Sequence, residues 1–387
     1  MDLLVSNSIK MKKIDVVSSH LNAGGVAAVT FEYISLMESI GFDVNLFLTD
    51  NMPVSCRWQS AEDFICLTYN FKSSKYWNLP IHRVLVKNLV EAFRFFITFK
   101  ANGNTKVFVH FFPIFLGMIF KIIHPDEKVI FWFHTDLVSY YHSQRGLKRL
   151  FLYLFLRSTN VADQKVFLTN DIRNGFVKLT CNETGNSVIP NVFSGRAVKA
   201  PEISTYPQFI VVGRLTPTKN IDIVVKSFFA YLVKGGRGRL VIAGDGPDFN
   251  RLQELISESV FSERVSLLGS VDDMKSLYSN SDVFISFSQL EGFPVAHLEA
   301  IQFGLRVLTV NACDAICDVM AVDSTLLGQS PYGCVIDKNI VKASNFELLS
   351  DNLFKILEVP SAEIIIRQKL LDRFSVGIIS KDWESLI

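Results

Sequence analysis

The amino-acid sequence predicts an α/β protein built from two Rossmann-like, doubly wound domains, and three observations support that fold class. Residues 12–48 read as strand, glycine turn, helix and strand, which is the βαβ unit of such a domain. Residues 190–207 are polar, contain prolines and lack a hydrophobic period, so we expect a linker there. A second series of apolar segments alternates with helical ones beyond it. We expect an N-terminal domain over 1–190 and a C-terminal domain over 208–369, facing each other across a cleft.

Short, continuous apolar segments predict the strands of the first half. The strand over 12–19 leads into the glycine turn 22–25 and a helix over 26–40. Gly41 can end that helix, because glycine tolerates the left-handed conformation that follows many helices. Further strands are expected at 42–48, 105–110, 128–133, 164–168 and 186–189.

The second half repeats the same alternation. We expect strands at 209–212, 239–243, 265–268, 283–286 and 307–310. Helices are predicted over 221–232 and 274–279, and a last helix runs from about 361 to near Trp383. Four of the strands run straight into polar or glycine-rich turns, and open α/β sheets bind their ligands at the carboxyl ends of the strands.

Composition and charge limit the classes of function. Hydrophobic residues make up 49% of the 387 residues and charged residues 20%, so the core can be large. The net charge of +1 divides into +5 for residues 1–190 and −4 for residues 191–387. Residues 64–125 are the most basic stretch, with eight Lys and Arg against the single acid Glu91. This modest charge, without a recognition motif, argues against nucleic-acid binding.

Cysteine usage and hydropathy indicate a cytoplasmic protein. The six cysteines are scattered without a CxxC pair, which is typical of reduced residues in the cytosol. The first residues lack the basic start of a signal peptide. The longest uncharged run, 107–120, is too short to span a bilayer and is divided by Pro113.

A glycine and two cations follow the first strand of the second half. Gly213 permits a sharp turn at the strand end, and the planar guanidinium of Arg214 can bind two phosphate oxygens. Lys219 adds a point charge at the start of the next helix. Taken alone, an Arg and a Lys in a loop are ordinarily just solvated.

Two carboxylates lie eight residues apart in the segment 291–299. Glu291 is on a Gly-Phe-Pro turn, and Glu299 lies in the helix that Pro294 can start. A helix rises about 1.5 Å per residue, so both acids can face one ligand beside helix-start amides that favour phosphate. A nucleotide sugar has hydroxyls at two places and a diphosphate between them. A solvated acidic loop before a surface helix explains the spacing equally well.

The order of these motifs resembles a known family. The motifs follow one another as in the GT-B glycosyltransferases of family 4, which are retaining nucleotide-sugar enzymes. In chain order they are Gly213-Arg-x4-Lys219, Gly-Asp-Gly-Pro247, Leu-Gly269, Ser281-Asp282 and Glu291-x7-Glu299. The resemblance covers nearly the whole chain and is strongest over 209–310. It implies a GT-B fold and sugar transfer from a nucleotide sugar, with UDP favoured. The implied acceptor is a glycan or lipid-linked saccharide, as in bacterial surface polysaccharide or lipopolysaccharide synthesis.

The resemblance also implies roles for individual residues. Arg214 and Lys219 match the basic pair on the donor diphosphate, Glu299 the acid on the ribose, and Glu291 the acid on the donor sugar. His134 matches a histidine near the reacting centre, although a structural histidine is a close alternative. The remaining implied donor contacts are Gly24, Gly25, Gly213, Gly269, Val271, Phe293, Pro294 and Val295. The stretch 370–387 is implied to pack back on the first domain.

No metal or cofactor is expected, since cations would take the place of a metal and no Asp-x-Asp motif follows a strand. Asp272 and Asp273 are predicted to cap a helix instead. Donor identity stays open, because His297 occupies a position that varies with the donor and Val192 replaces the glycine expected after Asn191.

Other functions fit the sequence less well than sugar transfer does. A non-catalytic nucleotide-sugar-binding partner is the alternative, although it would be expected to lack some of the four charged residues. A nicotinamide enzyme would need GxGxxG, which is absent, and no pattern indicates a GT-B epimerase. Segments 81–100 and 145–157 mix cations with large apolar residues, so each is either a core helix or a contact with anionic membrane. For 145–157 the sequence favours the core helix. Membrane contact would make the protein peripheral at the inner face of the membrane.

Overall fold

The computed structural model describes residues 12–19, 25–50, 65–69, 81–200, 202–323 and 326–387. The chain divides into two compact units. The first unit runs to Leu168 and also contains residues 172–192 and 379–387, and the second contains residues 169–171 and 193–378.

The first unit is a parallel sheet covered by helices. Its strands are β1 (Lys12–Ser18), β2 (Phe42–Leu48), β3 (Ile65–Thr68), β4 (Thr105–Val109), β5 (Val129–Phe133), β6 (Gln164–Phe167) and β7 (Asn186–Val188). Its helices are α1 (Gly25–Ser39), α2 (Ile81–Thr98), α3 (Phe111–Ile123), α4 (Leu137–Ser143), α5 (Gly146–Ser158) and α6 (Asn170–Thr180). The strand order β3-β2-β1-β4-β5-β6-β7 reverses direction at β1, which is the doubly wound pattern.

The second unit repeats this architecture. Its strands are β8 (Gln208–Val212), β9 (Arg239–Ala243), β10 (Val265–Gly269), β11 (Val283–Ser286), β12 (Arg306–Val310), β13 (Gly328–Ser330) and β14 (Gly333–Ile336), in the order β10-β9-β8-β11-β12-β14-β13. Its helices are α7 (Ile221–Val233), α8 (Phe249–Ser257), α9 (Met274–Ser279), α10 (Val295–Gln302), α11 (Asp314–Val319), α12 (Lys338–Lys342), α13 (Phe346–Glu358) and α14 (Ile364–Asp372). Helix α15 (Val376–Leu386) begins here and ends in the first unit. Among the described strands, all pairs are parallel except β13 with β14.

These two sheets confirm the predicted fold class. The predicted strands are present, but the sequence analysis missed β3 and the pair β13–β14, which are each only three or four residues long. The prediction of a single last helix was wrong, since residues 373–375 interrupt the helix between α14 and α15.

Trp383 on α15 packs against Trp132 and Tyr33, with ring centroids 5.0 and 4.7 Å away. Among the described helices, none has the length and apolar character needed to cross a bilayer.

The segment 145–157 differs from the prediction on one face. Helix α5 buries Leu152, Phe155 and Leu156, as a core helix does. Its opposite face, however, exposes large apolar side chains beside its exposed cations. Continuous hydrophobicity in the sequence did not distinguish a helix buried all round from one with an exposed apolar face.

A buried histidine fixes helix α10 on the second sheet. His297 is 1% exposed, and its Nε2 lies 2.9 Å from the hydroxyl of Thr309 on β12. Burial lowers the pKa of His297 to about 4; nearby Glu291 opposes this shift and Lys219 adds to it. The imidazole is therefore neutral at physiological pH.

This histidine makes the second unit sensitive to acid. Because the pKa of His297 is lower in the folded state than its usual 6.5, the unfolded state binds the proton more readily as the pH falls. Its contribution is intact above about pH 6.5 and is lost as the pH falls towards 4. We expect a loss of about 2 kcal/mol in the free energy of unfolding between pH 7.5 and pH 5 from this residue alone.

Denaturant titrations of the full chain at the two pH values measure that loss. The His297→Gln variant should show a smaller decrease than the wild type, because glutamine keeps a polar group near Thr309 but does not titrate. The matched control is His142→Gln, at an exposed histidine of α4. Equal decreases in the wild type and His297→Gln would refute the assignment.

Candidate functional site

The predicted site residues of the second unit lie at one edge of its sheet, on the loops after its strands, at the end of β10 and on helix α10. The loops after β8, β9, β10 and β11 follow the carboxyl ends of four neighbouring parallel strands. In parallel sheets these ends share an edge, so residues distant in sequence are brought close.

Backbone hydrogen bonds join the loops after β8 and β9. The amide of Gly213 donates to the carbonyl of Ala243 at 3.0 Å, and the amide of Leu215 donates to that of Asp245 at 2.9 Å. Asp248 returns a bond from its amide to the carbonyl of Leu215 at 3.1 Å. The loop that carries Arg214 is therefore held on both sides by its neighbour.

Two glycines make this close approach possible. A Cβ atom on Gly244 would lie 1.9 Å from the carbonyl oxygen of Gly213, and one on Gly246 would lie 2.3 Å from that of Leu215. Both glycines also have positive φ angles, 148° and 159°, which other residues rarely adopt. The Gly-Asp-Gly motif is thus a packing requirement of the loop below Arg214.

An asparagine joins the loop after β8 to the loop after β11. Asn220 is buried, has a left-handed φ of 51°, and donates from Nδ2 to the carbonyl of Phe287 at 2.8 Å. Its Oδ1 accepts from Nε2 of Gln289 at 2.9 Å, and the amide of Gln289 donates to the carbonyl of Thr218 at 2.8 Å. These three bonds fix the position of Lys219 between them.

Lys219 and Glu291 form an ion pair across these two loops. Nζ lies 2.6 Å from Oε1, and the side chains are 27% and 17% exposed. Within the described residues Oε2 has no hydrogen-bond partner. Arg214 is exposed, and its guanidinium likewise has no ion-pair partner among the described side chains. The loops therefore present one paired cation, one unpaired cation and one carboxylate oxygen.

The second acid is held by a tyrosine. Glu299, on α10, accepts a hydrogen bond to Oε2 from the hydroxyl of Tyr278 at 2.8 Å. Tyr278 is 1% exposed, and its ring stacks on Phe303 with centroids 5.6 Å apart. A buried donor with a fixed ring sets the orientation of the half-buried carboxylate.

The turn before α10 differs from the expected row of free amides. Pro294 is buried with φ −85° and ψ 61°, an inverse γ-turn, so the amide of Val295 already donates to the carbonyl of Phe293 at 3.0 Å. The ring of Phe293 packs edge-on against Phe374 at 5.3 Å. This turn places Glu291 ahead of the helix.

The other two predicted positions of this unit are Gly269, the last residue of β10, and Val271 in the loop that follows. The carbonyl of Gly269 accepts the amide of Gly244 at 2.7 Å, which extends the joined loops to a third strand. Val271 is half-buried. The side chain of Asp273 accepts the amide of Ser276 at 2.9 Å, so it caps α9. Across the described ranges no three His, Cys, Asp or Glu side chains are grouped as a metal site.

His134 lies at the carboxyl end of β5 in the first unit. Burial, and then the neighbouring His110, lower its pKa to about 3. Its ring is 3.9 Å from that of Trp132, and its Nε2 is buried without a hydrogen-bond partner in the described part of the chain. A neutral imidazole there can donate or accept a hydrogen bond but holds no charge.

The first-domain glycines can be placed only in part. Gly25 is the first residue of α1, whereas Gly24 lies outside the described residues. Asn191 is buried, and its Oδ1 has no partner among the described atoms.

Sequence reasoning missed the residues that hold the charged groups in place. Asn220 donates a hydrogen bond to Phe287, Gln289 donates one to Asn220, and Tyr278 donates one to Glu299. Nothing in the local spacing of these residues indicates those partners. Only Asn220 could have been singled out from its residue type, since asparagine tolerates the left-handed backbone conformation better than most residues.

Most of the second unit is similar to a known protein family. Residues 196–363 match the family model of glycosyl transferases group 1. An uncharacterised glycosyltransferase of Methanocaldococcus jannaschii is 28% identical over 215 residues, which cover 51% of this chain and 51% of that protein. The capsular polysaccharide biosynthesis glycosyltransferase CapM of Staphylococcus aureus is 27% identical over 182 residues, covering 45% and 44%. The chain spans about half the length of the curated relatives it matches.

Solved structures match over the whole chain. The lipopolysaccharide outer core galactosyltransferase WaaB superposes with a TM-score of 0.66 and 18% identity, covering 97% of this chain and 99% of that one. Anabaena HepE in complex with UDP-glucose superposes with a TM-score of 0.68 and 16% identity over the same shares. Residues 196–363 therefore match the glycosyl transferases group 1 model, within a chain that has the GT-B fold of solved glycosyltransferases.

Proposed function

We propose that this protein is a retaining, metal-independent glycosyltransferase that moves a sugar from a UDP-sugar to a glycan or lipid-linked saccharide. We place it in bacterial surface polysaccharide or lipopolysaccharide synthesis, as a cytoplasmic protein in peripheral contact with the inner face of the anionic membrane. The family match supports transfer, CapM supports polysaccharide assembly, and the UDP-glucose complex of HepE supports the donor.

The observation that carries the proposal is the loop arrangement around Lys219. Arg214 and Lys219 supply two cations to one sheet edge, and Glu291 supplies a carboxylate next to them. An ammonium group has three donors, so Lys219 can hold Glu291 and a phosphate oxygen together. The free Oε2 of Glu291 can accept a hydroxyl of the donor sugar, and Glu299 can accept the ribose hydroxyls.

The reaction follows from these roles. The bond between the anomeric carbon and the β-phosphate oxygen breaks, and the acceptor oxygen bonds to that carbon on the same face. The acceptor proton passes to the departing phosphate oxygen. Negative charge grows on the diphosphate, where Arg214 and Lys219 stabilise it in place of a metal; one well-placed donor contributes roughly 2.7–4 kcal/mol. His134, being neutral, would donate or accept one hydrogen bond near the reacting centre.

A thermal-shift panel tests donor binding. UDP-sugars should raise the melting temperature of the wild type more than GDP-, ADP- or dTDP-sugars do. Arg214→Ala should melt like the wild type without ligand, because the residue is exposed, and should lose most of the shift. If no nucleotide sugar raises the melting temperature, the donor site is wrongly assigned. Binding without release or transfer of sugar would favour the non-catalytic alternative.

Replacing Glu291 by Gln should separate diphosphate binding from sugar transfer. Glutamine keeps the size but removes the charge that neutralises Lys219, so UDP should bind as tightly as in the wild type or more tightly. Turnover of the UDP-sugar should fall by ~100-fold, since the sugar loses its charged acceptor. Calorimetry with UDP and a sugar-release assay measure the two effects. The control is Glu258→Gln, at an exposed glutamate after α8. A parallel loss of UDP affinity would contradict the roles given to the pair.

Glu299 is expected to accept hydrogen bonds from the ribose hydroxyls of the donor. Glu299→Ala should weaken UDP binding at least ~10-fold and abolish the preference for UDP over its 2′-deoxy analogue, since a hydrogen bond to a charged group contributes about 1.5–3 kcal/mol. Tyr278→Phe keeps the ring on Phe303 but removes the hydroxyl, so its effect should be smaller and in the same direction. An Ala variant that still prefers UDP to deoxy-UDP would exclude the ribose role.

A further inference from the structure

Helix α5 has an exposed apolar stripe that the core does not cover. Leu147, Leu150, Phe151 and Leu154 are between 53% and 84% exposed. They are spaced i, i+3, i+4 and i+7, so they lie on one face of the helix. Isolated exposed apolar residues are common, but a continuous helical face of them marks an interaction surface.

Neighbouring helices extend this apolar surface. Helices α2, α3 and α5 share one buried cluster on the sheet of the first unit. The rings of Phe111 and Phe155 join α3 to α5 at 4.2 Å, and those of Phe99 and Phe120 connect the end of α2 to α3 at 5.1 Å. The other two helices also expose apolar side chains, with the exposed Arg94 between them on α2. These apolar residues are Val90, Phe93, Ile97, Phe115, Ile122 and Ile123.

The charges beside the stripe are positive. Helix α5 contains no acidic residue, and Lys148, Arg149 and Arg157 are exposed on it. The Lys148 ammonium lies 5.3 Å from the ring of Tyr140, and the Arg149 guanidinium 4.7 Å from that of Tyr141. Long cationic side chains can keep their charges in a polar layer while the apolar face inserts below it.

We propose that α5 lies in the interface of an anionic lipid bilayer, with its apolar stripe inserted and its cations on the lipid headgroups. This inference deepens the proposed membrane contact, rests on it, and assigns that contact to named residues. Apolar and aromatic residues on one helical face with cations at its edges are the pattern of interfacial helices. A second copy fits this face less well, because it would bring the cations of two α5 helices together without acids on either helix.

Co-sedimentation of the full chain with vesicles tests the docking. The wild type should pellet with vesicles containing phosphatidylglycerol, less with pure phosphatidylcholine, and less at high salt because the headgroup attraction is screened. Leu150→Glu/Leu154→Glu should reduce the bound fraction at least tenfold without changing the melting temperature. The matched control is Val233→Glu/Val260→Glu, at exposed apolar residues of the second unit.

The possible results separate membrane docking, dimer formation and donor binding. Failure of the wild type to pellet, or equal pelleting of the Leu variant, would overturn the docking. A wild-type dimer that becomes monomeric in the Leu variant would show that a second copy covers the face. The Leu variant should keep the UDP-dependent thermal shift, so a shift absent from every protein would refute the donor site while leaving the vesicle result intact.

Discussion

The candidate site depends on the ion pair between Lys219 and Glu291, because it joins the two loops that hold most of the predicted chemistry. An exposed ion pair contributes little to stability, but this one is only about one-quarter exposed and is supported by Asn220 from below. Its more important consequence is geometric. Without the pair, the carboxylate would have no fixed distance to the loop that holds Lys219.

The loops can hold that geometry because their backbones pack directly against one another and are joined by hydrogen bonds. Gly244 and Gly246 allow one loop to lie directly on the carbonyls of Gly213 and Leu215. At the opposite edge of the sheet, Asp282 fixes the start of β8 by accepting the amide of Gln208 at 2.8 Å. Several motifs that look functional in the sequence therefore act by positioning, and they leave Arg214 as the exposed cation at the edge.

The elements that follow from local patterns were predictable, and those that depend on partners were not. Continuous apolar runs such as 240–243 indicate buried parallel strands without any tertiary information. Strand β13 gives no such signal, because its sequence Gly-Gln-Ser contains no apolar side chain. The support of Glu299 by Tyr278 joins residues 21 positions apart, and the exposure of Leu150 depends on which face of α5 the core covers.

The central claim is that these loops bind one nucleoside diphosphate between Arg214, Lys219 and Glu299. A crystal structure of the protein soaked with UDP measures this most directly. The account predicts diphosphate oxygens within hydrogen-bond distance of the Arg214 guanidinium and of Lys219 Nζ, with the ribose hydroxyls at the carboxylate of Glu299. UDP bound elsewhere, or bound here with its diphosphate away from both cations, would contradict it.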